Sequence, residues 1–131
     1  MNYLTLLEVV EVLSDALELE EITAGTIDES LQQTIGVYQR VGFEPQGCIG
    51  GLCSFEIAKL RILVRWGTNP TAAESKAIEA AQLIEGLREM PTTAHIIKFA
   101  EVKAVRPIGK DQKGVCEYVV DTDIIYTERN E

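Results

Sequence analysis

Ser54-Phe55-Glu56-Ile57-Ala58-Lys59-Leu60-Arg61-Ile62-Leu63-Val64-Arg65-Trp66, running into Gly67-Thr68-Asn69-Pro70-Thr71-Ala72-Ala73-Glu74, decides the fold. In the first part Ala58, Leu60, Ile62, Val64 and Trp66 alternate with Lys59, Arg61, Leu63 and Arg65, the period of a strand with one apolar and one basic face. In the second, Asn69 is placed to cap a helix and Pro70 to fill its first turn, with Thr71 and Glu74 as a further capping arrangement. That helix sets Ala73, Ala77, Ala80 or Ala81, Ile84 and Leu87 on one side and is expected to run until Pro91. Small side chains let it lie close against a sheet.

Outward on the C-terminal side, the spacing predicts an extended chain from His95 to Arg106, turn chemistry from Gly109 to Gly114, and a long strand from Val115 to Thr127. The two arms read as an antiparallel hairpin. Its second arm sets Cys116, Tyr118, Val120, Thr122, Ile124 and Tyr126 on one face and Glu117, Val119, Asp121, Asp123 and Ile125 on the other.

On the N-terminal side, Tyr3 to about Leu19 shows helical spacing, with Leu7, Val10, Leu13 or Ser14, and Leu17 on one side and an acidic stripe of Glu8, Glu11, Asp15 and Glu18 on another. No Lys or Arg precedes Arg40. Gln33 to Tyr38 favours a short strand. Arg40 to Cys53 is a long glycine-rich loop containing Pro45, a length that a compact domain rarely carries unless the loop binds something. The expected class is therefore α/β in the α+β sense. One domain spans residues 1–131, a mainly antiparallel or mixed sheet packed by an N-terminal helix and a central Ala-rich helix, ending in a long β-hairpin.

The net charge of -9, from 21 acids against 12 bases, would repel a phosphate backbone, so nucleic acid is a poor partner. No apolar stretch approaches the roughly 20 residues that span a bilayer, and Glu8 and Glu11 stand where a secretion signal carries bases, so no membrane is expected. Three cysteines, Cys48, Cys53 and Cys116, are expected reduced.

Catalytic chemistry finds little support. His95 is the single histidine, at a strand start where a side chain is commonly exposed. It could join the cysteines as a zinc set, but Cys48 and Cys53 lack knuckle spacing. Gly47, Gly50 and Gly51 lead into a strand and lack the Gly-Lys-Ser/Thr end of a phosphate loop. Glu101 and Lys103 share a strand side as in metal-dependent nucleases, without an upstream acid on a neighbouring strand. Asp121 and Asp123 fit an ion-paired face better than a cation site. No enzyme, cofactor or metal is expected.

The order of parts carries a resemblance. Gln33-Thr34-Ile35-Gly36-Val37-Tyr38, a glycine-rich loop, Leu60 to Gly67, and Asn69 to Glu74 opening a helix are similar to the tail terminator or minor capsid proteins of long-tailed, non-contractile phages and prophages. Ile108 to Gly114 followed by Val115 to Val120 resembles that family's last two strands, so the likeness covers most of the chain from Gln33 onward. Cys48 and Cys53 depart from the family, which leaves the loop's role open.

The resemblance implies a hexameric ring of identical subunits at the head-proximal end of the tail tube. Such a ring would stop tube polymerisation and join the head, and it would be assembled in the host cytoplasm and retained in the virion. The implied partners are further copies, the tail tube protein and a head-tail connector or neck protein. A cyclic ring needs two different complementary patches per subunit. Lys59, Arg61 and Arg65 are candidates for one, and Glu8, Glu11, Asp15 and Glu18, or Glu117, Asp121 and Asp123, for the other. The alternative is that strand and hairpin arm pair their charges within one subunit. Arg40, Phe43, Ile49, Leu52, Lys110 and Lys113 are candidates for reaching the tube or neck. Rival readings are a head completion protein, a nuclease built on Glu101 and Lys103, and a ligand-binding domain with a pocket under Trp66.

Overall fold

The computed structural model describes residues 3–17, 22–28, 30–41 and 55–129. In chain order these form α1 (Leu6–Leu17), β1 (Ile22–Ala24), β2 (Gln33–Gln39), β3 (Glu56–Trp66), α2 (Pro70–Glu85), β4 (Arg88–Pro91), β5 (His95–Lys110) and β6 (Cys116–Glu128). The strands make one sheet in the order β1-β2-β3-β6-β5-β4. Only β1 against β2 is parallel. This is the expected α+β arrangement of a mixed sheet packed by two helices.

The alternation read in β3 is the one that folds. Ala58, Leu60, Ile62 and Val64 are buried and lie opposite Ile124, Thr122, Val120 and Tyr118 of β6. On the other flank Ile62 and Val64 lie opposite Val37 and Ile35 of β2. Both helices cover this face, α1 with Val9, Val12 and Leu13 and α2 with Ala73, Ala77, Ala80, Ala81 and Ile84. The α2 alanines remove side-chain bulk, so the helix axis approaches the strands and the core closes without large aliphatics from that helix.

Asn69 caps α2 as expected, its Oδ1 accepting the N–H of Thr71 at 3.0 Å and of Ala72 at 3.5 Å, with Pro70 at the first position. The far end departs from expectation. The helix stops at Glu85, Gly86 and Leu87 turn the chain with their N–H groups on Gln82 O and Ile84 O, and β4 occupies the residues up to Pro91. Pro91 ends an edge strand here, because β4 pairs only with β5 and leaves its other edge open.

An N-terminal signal was present and unread. Thr5 and Glu8 form a reciprocal capping box: Glu8 N–H donates to Thr5 Oγ1 at 3.3 Å, and Thr5 N–H donates to Glu8 Oε1 at 3.2 Å. In β2, Gly36 is required by crowding, since a Cβ there would lie 2.9 Å from the Thr26 carbonyl oxygen.

The hairpin is longer than expected, β5 continuing through Pro107 to Lys110. Register shifts between Ile97 and Phe99, Val102 and Ala104, and Pro107 and Gly109 absorb the extra residues. β4 reaches β5 only at Ile96, Ile97 and Phe99, so beyond Phe99 the outer edge of β5 has no strand neighbour among the described residues. The distal hairpin thus forms an arm along the free edge of the sheet, its inner strand β6 still paired to β3 from Glu117 to Tyr126.

Candidate functional site

The face of the sheet away from the helices carries the charges. Arg61 Nε donates to Asp121 Oδ1 at 2.8 Å, and Arg106 Nη2 reaches the second oxygen of the same carboxylate at 3.0 Å. These two guanidiniums hold Asp121 below the usual carboxylate range, Arg61 first, against the opposing effect of burial. Asp123 lies opposite Lys59 in the ladder, accepts from Arg40, and sits 3.9 Å from Lys103 Nζ. Lys103 is also bonded to Glu101 at 2.8 Å, so the pair weighed for a nuclease is an ion pair on an exposed strand. Asp121 and Asp123 are thus each flanked by cations of neighbouring segments of the same subunit, the within-subunit alternative for Arg61, Asp121 and Asp123.

Arg65 corrects the reading of the basic strand face. It is 1% exposed, with Nε on the Leu31 carbonyl at 2.9 Å and Nη1 against the carboxylates of Asp111 and, at 3.6 Å, Glu117. The hairpin turn and the segment before β2 fold over it, so its charge is spent inside the subunit.

Glu8 corrects the reading of the acidic stripe. It is buried, because its capping role points the carboxylate inward to the β4–β5 turn, where Thr92 Oγ1 donates to Oε2 together with Ala94 N–H at 3.2 Å. His95 Nδ1 lies 2.9 Å from the same oxygen, and the ring stacks edge-on against Tyr126 at 5.1 Å. His95 is therefore 0% exposed, where a strand-start histidine is expected in solvent. Burial opposes ionisation of Glu8, but bonds from Thr92, His95, Thr5 and Ala94 outweigh it and bring its pKa down to about 2. No route to substrate is visible in a group so enclosed, and we read it as a structural tie between α1 and the β4–β5 turn.

The rest of the stripe does face solvent: Glu11 and Asp15 are exposed, and Leu7, expected on the apolar side, is 67% exposed. Glu18, Phe43, Ile49, Leu52, Cys48 and Cys53 lie outside the described residues. Cys116 is a buried free thiol. Among the described residues no three His, Cys, Asp or Glu side chains are arranged to hold a metal ion, and no helix is long and apolar enough to cross a membrane.

On the arm, Val105 and Ile108 are exposed between Lys103, Arg106 and Lys110, with Lys113 in the turn. Where the arm passes the start of α2, Pro70, Pro107, Cys116 and Tyr118, with Lys110 and Glu117, line an open cleft of about 160 Å³. Trp66, the roof of the pocket in one rival reading, packs against the core and carries Lys76 Nζ 4.8 Å from its ring centre.

A family model described as bacteriophage tail terminator protein matches residues 3–128, which takes in every described strand and helix. The chain belongs to the bacteriophage tail terminator family. As a tail terminator it has a structural part in the phage tail and works in contact with other tail or head proteins. No curated protein matches the chain. One solved structure aligns over 95% of this chain and 89% of its own at 10% identity, with a TM-score of 0.49. Large hydrophobics exposed among the described residues include Leu7 on α1 and Val105 and Ile108 on the arm, besides Val41, Phe55, Ile78, Met90 and Phe99.

Proposed function

We propose that copies of this chain close into a ring, of six subunits as the family resemblance implies, on the head-proximal end of the tail tube. The ring ends tube growth and offers the head connector a surface. The observation that carries this is the arm: β5 beyond Phe99 is a sheet edge with Val105 and Ile108 in solvent and no strand on its outer side among the described residues. A half-covered apolar hairpin is costly in an isolated protein and suited to one whose neighbours cover it. Rings need heterologous contacts, and the arm and the exposed side of α1 are different surfaces on one subunit.

Arg61, Asp121 and Asp123 hold strands together within the subunit and leave register between subunits to other groups. Glu11, Asp15, Lys110 and Lys113 retain the exposure for such contacts, whereas Lys59 is half-buried, and Arg40 is placed at the edge of the long loop proposed to reach tube or neck. The expected outcome in light scattering across a concentration series is a mass that climbs to a closed oligomer and stops. Growth without a plateau would indicate an open filament and contradict a ring.

A further inference from the structure

The arm is unsuited to adding a strand from a partner. Its edge carries two register shifts, at Val102/Ala104 and at Pro107/Gly109, and Pro107 has no N–H to donate. Lys103 adds a charge on the same stretch, and these are the devices that block edge-to-edge pairing. What docks on the arm must therefore use side chains. The cleft near its turn is too small for ordinary small-molecule ligands, which need about 300 Å³ or more. Its 160 Å³ matches the size of an apolar cavity, about 150 Å³, that admits a six-carbon ring, so it suits one aliphatic side chain.

Charge selects the occupant. Of the arm's four bases, Lys103 and Arg106 are ion-paired to Glu101 and Asp121, which leaves Lys110 and Lys113 beside the turn to meet a partner, while residues 1–39 hold eight acids and no Lys or Arg. On α1, Leu7 is the most exposed large hydrophobic of the described residues, with Glu11 and Asp15 following one and two turns along the same exposed stripe.

Resting on the ring reading above, we infer that the arm is the docking surface for α1 of a second copy, with the neighbour's Leu7 seated in the cleft and its Glu11 and Asp15 beside Lys110 and Lys113. The contact is head-to-tail, since every subunit presents one arm and one helix. Leu7 is the anchor and the charges set orientation and partner choice.

The test uses two charge-reversed full-length proteins, E11K/D15K and K110E/K113E, each checked for an unchanged thermal melt because these side chains are exposed. Each alone is expected to need a concentration higher by about tenfold or more to assemble, because like charges then meet at every contact. Mixed in equal amounts they should assemble as the wild type does, since each arm then meets a helix of opposite sign and the two proteins alternate. L7S should weaken assembly without changing the melt. A wild type that assembles while both reversed proteins assemble equally well, or while the mixture stays dissociated, overturns this contact and leaves the ring standing. A wild type that stays monomeric at all concentrations overturns both.

Discussion

Arg65→Ala is expected to lower the unfolding free energy by about 3 kcal/mol, the scale for removing one partner of a buried ion pair. The guanidinium is almost fully enclosed and joins three segments: the Leu31 carbonyl before β2, its own strand β3, and Asp111 in the β5–β6 turn. Asp111 in turn accepts the N–H groups of Val115 and Lys113, both at 2.9 Å. The Val115 bond foremost, with Arg65 and Lys113 contributing against burial, holds its carboxyl below the usual range. Without Arg65 the carboxylates of Asp111 and Glu117 lose their cation and the Leu31 carbonyl its donor. Arg65→Lys should recover only part of the loss, because an ammonium cannot hold the carbonyl and the carboxylate in the guanidinium's fixed fork. Urea unfolding of the three proteins decides it, and a change within about 0.5 kcal/mol for the alanine variant would remove Arg65 from its place in this account.

Acid should unfold the protein largely through Glu8. Its carboxyl has a folded pKa of about 2 against an ordinary 4.5, so its contribution is complete above pH 4.5 and is lost as the pH falls toward 2. The shift corresponds to about 3 kcal/mol at neutral pH. Glu8→Gln keeps the size but cannot accept from Thr5, Thr92, Ala94 and His95 together, so it should be less stable at pH 7 and lose less between pH 5 and pH 2. Asp121 and Asp111, also held low, add to the acid loss of both proteins and cancel in the comparison. Parallel stability-against-pH curves for wild type and variant would show that the Glu8 tie is not what acid breaks.

These two residues also mark where sequence reading ran out. Period-2 alternation showed β3 and β6, and Asn69-Pro70 showed the start of α2, because those signals are local and the burial of Leu60, Ile62 and Val64 follows from them. Arg65 and Glu8 obey the same alternation and stripe, yet both are buried by partners far along the chain, Asp111 for one and the turn at Thr92 and His95 for the other. The Thr5–Glu8 capping box was the one readable hint that Glu8 points inward. β1 is too short to show a period, and β4 hid behind a helical pattern whose true end was Gly86. The arm was legible as a hairpin. Its free outer edge beyond β4 was not, since that depends on how short the neighbouring strand is.

The most direct test of the ring is electron microscopy of tail tubes polymerised from the particle's own tube protein, with and without this chain. The account predicts tubes of limited length bearing an annular cap at one end when the chain is present, and continued growth when it is absent. Tubes of equal length with bare ends in both samples would contradict it.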